Sequence, residues 1–211
     1  MPDVVKKVFE EKHGFANFYF NRREQERVLK LWKPPGDAKN SRGPWTFIGS
    51  LQSGKEVSLR VTDSAVELKA PAGASKWILG PKFADDFQGG SNDGLLAAIF
   101  LYRLMAVDGP KAFTDVYYSG TYPLATYEGL FDVVVAGYRG AESWFYFDSH
   151  GRLTAMEIYA DEHLDPWEVH FTQYRDIDAH DLPGRIAVQS PAGAVFQIDF
   201  DRFRFTDEAS K

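Results

Sequence analysis

The sequence contains no cysteine, which excludes disulfide bonds, thiolate catalysis and cysteine-ligated zinc. It has no surplus of basic charge either: 24 Lys and Arg face 30 Asp and Glu, a net charge of −6. A chain of that sign lacks the basic footprint that nucleic-acid binding needs, so no nucleic-acid partner is expected. No apolar run approaches the roughly 18 residues of a membrane-spanning helix. The opening Met1-Pro2-Asp3-Val4-Val5-Lys6 lacks the charged-then-apolar pattern of a secretory leader. The composition that remains, 26% charged and 44% hydrophobic over 211 residues, is ordinary for a globular chain and argues against disorder, collagen or coiled coil. Aromatic residues are in excess at 15%, with 17 Phe and 10 Tyr, and such side chains favour strands.

Charge is uneven along the chain. Residues 1–43 carry 10 Lys and Arg against 6 Asp and Glu, which reads as a solvated helical face or as a contact for an acidic partner. A short helix is expected over 3–12, with Asp3 as cap and Val4, Val5, Val8 and Phe9 at helical spacing. A second is expected from about Arg22, capped by Asn21, with a strand over 27–32 as the competing reading. Together they make a helical segment over 3–33. After a Pro/Gly-rich loop, strands are expected at Trp45–Ser50, Glu56–Thr62 and Ala65–Ala70, joined by turns short enough for hairpins. Residues 71–94 read as loop.

Leu95 to Val107 is apolar all round, with Arg103 as its only charge. Such a helix is buried in a core or a membrane. At 13 residues it spans about 20 Å, too short for a bilayer, so it is expected inside a curved sheet. The C-terminal half reads as strands at Phe131–Gly137, Ser143–Asp148, Leu153–Ala160, Trp167–Gln173, Arg185–Gln189 and Val195–Phe205. In the last, Phe196, Ile198 and Phe200 share one phase while Phe203 and Phe205 take the other, which predicts a bulge or bend near Asp201-Arg202. The fold class is α+β, a meandering antiparallel sheet around an apolar helix, and the chain reads as one domain over 1–211.

Chemical motifs are sparse. Gly89–Gly94 precedes a helix but lacks the Lys-Ser/Thr pair of a phosphate loop, and Ser91, Asn92 or Asp93 there serve as caps. Ser91 is the nearest approach to a nucleophile at a strand-to-helix turn, without a Gly-x-Ser-x-Gly frame. Glu168 and His170 share a strand face opposite Trp167, Val169 and Phe171, which permits two metal ligands or a solvated acidic face. The neighbouring Asp161-Glu162-His163 has no metal-ligand spacing. Glu142, Glu157 and Glu168 are carboxylates of the kind glycoside hydrolysis uses, placed by strand position alone. Trp144-Phe145-Tyr146-Phe147 is apolar on both faces, as core or as the wall of a ligand cavity.

Several segments also resemble a known family. Trp144-Phe145-Tyr146-Phe147-Asp148, Gly151-Arg152-Leu153, Met156-Glu157, Asp165-Pro166-Trp167-Glu168-Val169, Phe171-x-x-Tyr174-Arg175 and Leu182-Pro183-x-Arg185-Ile186 occur in the order found in the C-terminal sheet of the LolA/LolB-like lipoprotein-carrier superfamily. Lys12-His13-Gly14-Phe15-x-Asn17-x-Tyr19-Phe20-Asn21, Gly43-x-Trp45-x-x-x-Gly49, Leu95-Leu96, Gly109-Pro110-x-x-Phe113 and Tyr118-x-Gly120-x-x-Pro123-Leu124 are similar to a domain at the C-terminal end of trypsin-like or PDZ-containing proteins of planctomycete-type bacteria. The resemblance implies an unclosed, strongly curved antiparallel half-barrel wrapped around a helix, an envelope or periplasmic location, no catalysis and no cofactor. It implies a hydrophobic, acyl- or lipid-like ligand or lipoprotein as partner, or a protein segment. Alternatively the domain serves as a structural or regulatory accessory of a protease in the same full-length chain. An inner cavity would draw on Trp144, Tyr146, Met156, Ile158 and Trp167 from the sheet and Leu95 and Ile99 from the helix.

Overall fold

The computed structural model describes residues 19–32, 34–35, 42–83, 92–125, 127–160, 163, 165–193 and 195–205. The helix expected over 3–12 lies outside them. Two helices are present among the described residues, α1 (Tyr19–Leu31) and α2 (Asp93–Asp108). The strands are β1 (Trp45–Leu51), β2 (Glu56–Val61), β3 (Ala65–Ala70), β4 (Gly73–Ile78), β5 (Thr114–Tyr122), β6 (Phe131–Tyr138), β7 (Ala141–Phe147), β8 (Leu153–Tyr159), β9 (Trp167–Ile177), β10 (His180–Gln189) and β11 (Val195–Phe205).

All eleven strands form one sheet in the order β4-β3-β2-β1-β11-β10-β9-β8-β7-β6-β5. Each neighbouring pair is antiparallel. It is therefore two meanders, β1–β4 and β5–β11, joined where the first strand meets the last. The sheet stays open, with β4 and β5 as its edges, and this is the curved half-barrel anticipated from the sequence. Helix α2 lies against its inner face, touching β2, β3, β8, β9 and β10. Twelve residues of α2 are buried, Arg103 among them. A helix without a polar face is stable only when surrounded, and here the sheet surrounds it.

Arg103 shows how one charge is tolerated there. It is 2% exposed, yet its guanidinium reaches the rim and bonds Asp63 Oδ1 at 2.6 Å and the carbonyl of Arg42 at 2.6 Å. Burial of a charge is sustainable when it is paired and hydrogen-bonded in this way. The bend in β11 falls where the phase of its phenylalanines changes. Ile48 pairs with Arg202 and Gly49 with Phe200, leaving Asp201 as the extra residue. The bulge lets Phe200 and Phe203 both face the core.

Helix α1 begins earlier than expected, and it is a helix where a strand over 27–32 competed. Asn21 is not its cap. It lies within the helix and brackets the β5 edge, donating from Nδ2 to Tyr118 O at 2.5 Å and accepting from Tyr118 N at 3.3 Å. A side-chain amide thus satisfies a backbone pair that an edge strand would leave free. Arg27 then clamps α1 to β6 through two bonds to Asp132, at 2.7 and 3.0 Å, and Tyr118 Oη donates to the same carboxylate at 2.8 Å. Burial raises the Asp132 pKa, but the bonds from Arg27 and Tyr118 outweigh it and hold the carboxyl below its usual range. A depressed carboxyl contributes stability above its unfolded-state pKa, and that contribution is lost as pH falls through the folded value. Asp132→Asn is expected to cost about 1 kcal/mol at neutral pH. The gap from the parent should narrow as pH falls below the ordinary carboxylate range, as read from urea melts at pH 7 and pH 3.

The 71–94 stretch read as loop contains β4. Its six residues, Gly73-Ala74-Ser75-Lys76-Trp77-Ile78, are mostly exposed and lack the alternating apolar pattern that marks a half-buried strand. Strand β5 was likewise not anticipated. It breaks register twice, with left-handed backbone at Asp115 (φ 50°) and Gly120 (φ 128°).

A candidate ligand pocket at the end of the sheet

The residues expected to line an inner cavity separate into two groups. Leu95 and Ile99 of α2 and Met156, Ile158 and Trp167 of the sheet come together in the main core. The first four are fully buried and Trp167 is 6% exposed. Helix and sheet approach so closely here that a Cβ on Gly94 would collide with the Trp167 ring and lie 3.1 Å from a methyl of Val188. Trp144 and Tyr146 lie on the opposite, outer face, in a satellite cluster with Val133, Val135, Ala155, Leu124 and Phe131. Strand phase decides this: Phe145 and Phe147 of β7 point inward to the main core, so their neighbours must point outward.

The outer face also gathers the three carboxylates singled out in the sequence. Trp144 Nε1 donates to Glu142 at 2.7 Å and Tyr159 Oη to Glu157 at 2.8 Å, while Glu157 pairs across strands with Glu168. Burial and the Glu157 charge raise the Tyr146 pKa, so its hydroxyl stays protonated. Glu168 and His170 approach to 3.5 Å. Among the described residues no group of three or more His, Asp or Glu side chains could hold a metal ion. Ser91 lies outside the described residues.

A pocket of about 420 Å³ opens elsewhere, bounded by Trp32, Tyr102, His150, Gly151, Arg152, Tyr174 and Asp181. Five parts of the chain build it. Trp32 follows the last turn of α1, and its amide bonds Val28 O at 3.1 Å. Tyr102 comes from α2. Residues 150–152 form the β7–β8 turn, closed by Asp148, whose Oδ1 accepts from the amides of His150 (2.8 Å) and Arg152 (2.9 Å). Tyr174 and Asp181 come from β9 and β10.

The floor is aromatic. Tyr102 stacks on Phe171 with ring centroids 5.7 Å apart and lies 6.1 Å from Trp32. The wall is polar. Arg152 pairs with Asp181 at 3.0 and 3.2 Å, and its guanidinium sits 5.2 Å above the Tyr174 ring. Tyr174 donates its hydroxyl to Leu153 O at 2.7 Å. Burial, with Asp181 nearby, raises the pKa of Tyr102. Burial also raises that of Tyr174, with Tyr102, Asp181 and Asp148 adding. Both hydroxyls are therefore protonated donors throughout the physiological range.

Two backbone departures make the pocket. Gln173 has φ 54°, which resets the alternation of β9, so that Phe171, Tyr174 and Ile177 all face inward. That reset is why the sequence pattern ends the strand at Gln173, and why Tyr174 escaped notice as a lining residue. Gly151 has φ 79°, and a Cβ there would lie 2.9 Å from Trp32 N. Gly151→Ala is expected to cost about 1–3 kcal/mol through backbone strain, with a drop in melting temperature as the measurement. His150, Gly151, Arg152 and Tyr174 stand within segments legible in the sequence. Their convergence with Trp32, more than 100 positions away, was not.

No protein-family model matches this chain, and no curated protein matches it in sequence. Its fold is similar to that of solved structures. One is a DUF1329 family protein from Desulfovibrio piger, 12% identical, with 90% of this chain and 94% of that chain covered at a TM-score of 0.52. Another is a LolA superfamily protein from Nitrosomonas europaea, 11% identical, with 89% and 94% covered at a TM-score of 0.51. The architecture is thus a LolA-like half-barrel, and at these identities the likeness is one of fold.

Proposed function

We propose that this chain is a non-enzymatic binding module of the bacterial cell envelope, taking a hydrophobic, acyl- or lipid-like ligand or a protein segment at the Trp32–Tyr102–Arg152 pocket. The observation that carries the reading is the pocket itself, about 420 Å³ with an aromatic floor, within the size range of small-ligand sites. The LolA-like fold supports it, because the carrier family that the sequence resembles binds acyl chains and performs no covalent chemistry. Trp32 offers the apolar contact, and the Arg152–Asp181 pair orients what enters.

Titration with a fluorescent fatty-acid analogue is expected to give saturable binding, weakened at least tenfold by Trp32→Ala. Absence of saturable binding would overturn the reading. The isolated chain is expected to turn over no peptide, ester or glycoside substrate, and turnover abolished by Ser91→Ala or His163→Ala would contradict this. A second reading, favoured by the close packing of Gly94 against Trp167 and Val188, is a structural or regulatory accessory domain of a larger trypsin-like protease. It predicts no ligand for the isolated chain.

A further inference from the structure

We infer that the pocket selects a neutral, polyhydroxylated head group, of the glyceryl or glycosyl class, on the ligand it receives. This inference rests on the binding role proposed above and names the chemistry of the ligand's polar end. It starts from Tyr102. Its ring is buried, it lines the pocket, and its hydroxyl, which bonds no described residue, is not among the sealed polar atoms left without a partner, so it opens into the pocket. A donor open to a pocket can exchange a water for a ligand oxygen.

The other polar groups fix what that oxygen belongs to. Tyr174 spends its hydroxyl on Leu153, and the turn amides are spent on Asp148. What remains is mixed: the Tyr102 hydroxyl and the second terminal nitrogen of Arg152 donate, while Asp181 accepts. A ligand that satisfies both kinds must carry groups that both donate and accept, as hydroxyls do.

Charge disfavours the ionic alternatives. Of the basic groups that line the pocket, Arg152 and His150, Arg152 is already matched by Asp181 and the Asp148 carboxylate closes the turn that carries both, so an anionic head would meet no surplus of fixed positive charge. A cationic head would need an aromatic face or an uncommitted carboxylate, but the Tyr174 face is covered by the Arg152 guanidinium, Trp32 is largely buried, and Asp181 and Asp148 are engaged by Arg152 and by the turn amides. A neutral polyol keeps the Arg152–Asp181 pair intact and lays its apolar ring edge or stem on Trp32.

The test uses the full chain and calorimetric titration below the micelle concentration, with octyl β-glucoside, free glucose, sodium octanoate and octanol as probes. Octyl β-glucoside is expected to bind saturably, and octanoate and octanol at least tenfold more weakly. Tyr102→Phe should weaken the glucoside by about tenfold while leaving the melting temperature nearly unchanged, because the ring and its stacking on Phe171 are kept. Asp181→Asn is the second variant and should also weaken it. Octanoate or octanol binding as tightly as the glucoside, or a Tyr102→Phe protein with unaltered glucoside affinity, would overturn the inference and leave the broader binding role standing. Free glucose matching the glucoside would keep the polyol site and remove the hydrophobic ligand. No binding by any probe would overturn both.

Discussion

Leu101→Asp is expected to remove most of the stability of the fold. Leu101 is fully buried at the centre of α2, and α2 touches strands from both meanders. An aspartate there would have no cation to pair with, because Arg103 is already committed to Asp63 and the Arg42 carbonyl. An unpaired buried charge belongs to the short list of mechanisms that cost about 4–5 kcal/mol or more, against a total of about 5–15 kcal/mol for a natural protein. For a chain of this size each kcal/mol lowers the melting temperature by about 2–4 °C. A drop of roughly 10–20 °C, or loss of a cooperative transition, is the expected calorimetric result. Leu101→Met conserves volume and should cost less than about 1.5 kcal/mol. An unchanged melting temperature for Leu101→Asp would mean that α2 is not enclosed.

Trp45→Ala carries the other large effect. Trp45 is fully buried where the two meanders meet. Its ring lies 5.6 Å from both Phe203 and Phe205, 6.1 Å from Tyr102, and 6.0 Å from the Arg103 guanidinium. Removing it opens a cavity at the join and strips a contact from the ring that floors the pocket. The expected loss is about 3–5 kcal/mol by urea denaturation. Because Phe203 touches the same ring, Phe203→Ala and Trp45→Ala should be non-additive when combined. A loss below about 1 kcal/mol would show that the β1–β11 seam does not depend on this ring.

The legibility of the chain follows from periodicity. Leu95–Val107 was readable as a buried helix because apolar residues on all sides have no other stable environment in a chain of this charge. Strands β3 and β11 were readable to the residue, and the Asp201 bulge followed from a phase change among phenylalanines. Strand β4 was hidden because it is exposed and built on Gly73, Ala74 and Ser75. The first half of β10 was hidden because Pro183 and Gly184 weaken strand pairing and lack packing side chains. Of the expected cavity residues, Leu95, Ile99, Met156, Ile158 and Trp167 share the main core. Trp144 and Tyr146 lie in the outer cluster, a side the sequence could not assign because a strand apolar on both faces gives no phase. The pocket was illegible for a different reason. It depends on the left-handed backbone at Gln173 and Gly151 and on the arrival of Trp32 from the far end of the chain, and local spacing encodes neither.

The sharpest test of the account is a crystal structure of the chain grown with octyl β-glucoside. The account predicts density for the head group among Trp32, Tyr102, Arg152 and Asp181, within hydrogen-bond distance of the Tyr102 hydroxyl, with α2 still packed on Met156 and Trp167. Density lodged instead between α2 and the inner face, with Ile99 displaced from Met156 and Ile158, would contradict it and return the binding site to the interior of the half-barrel.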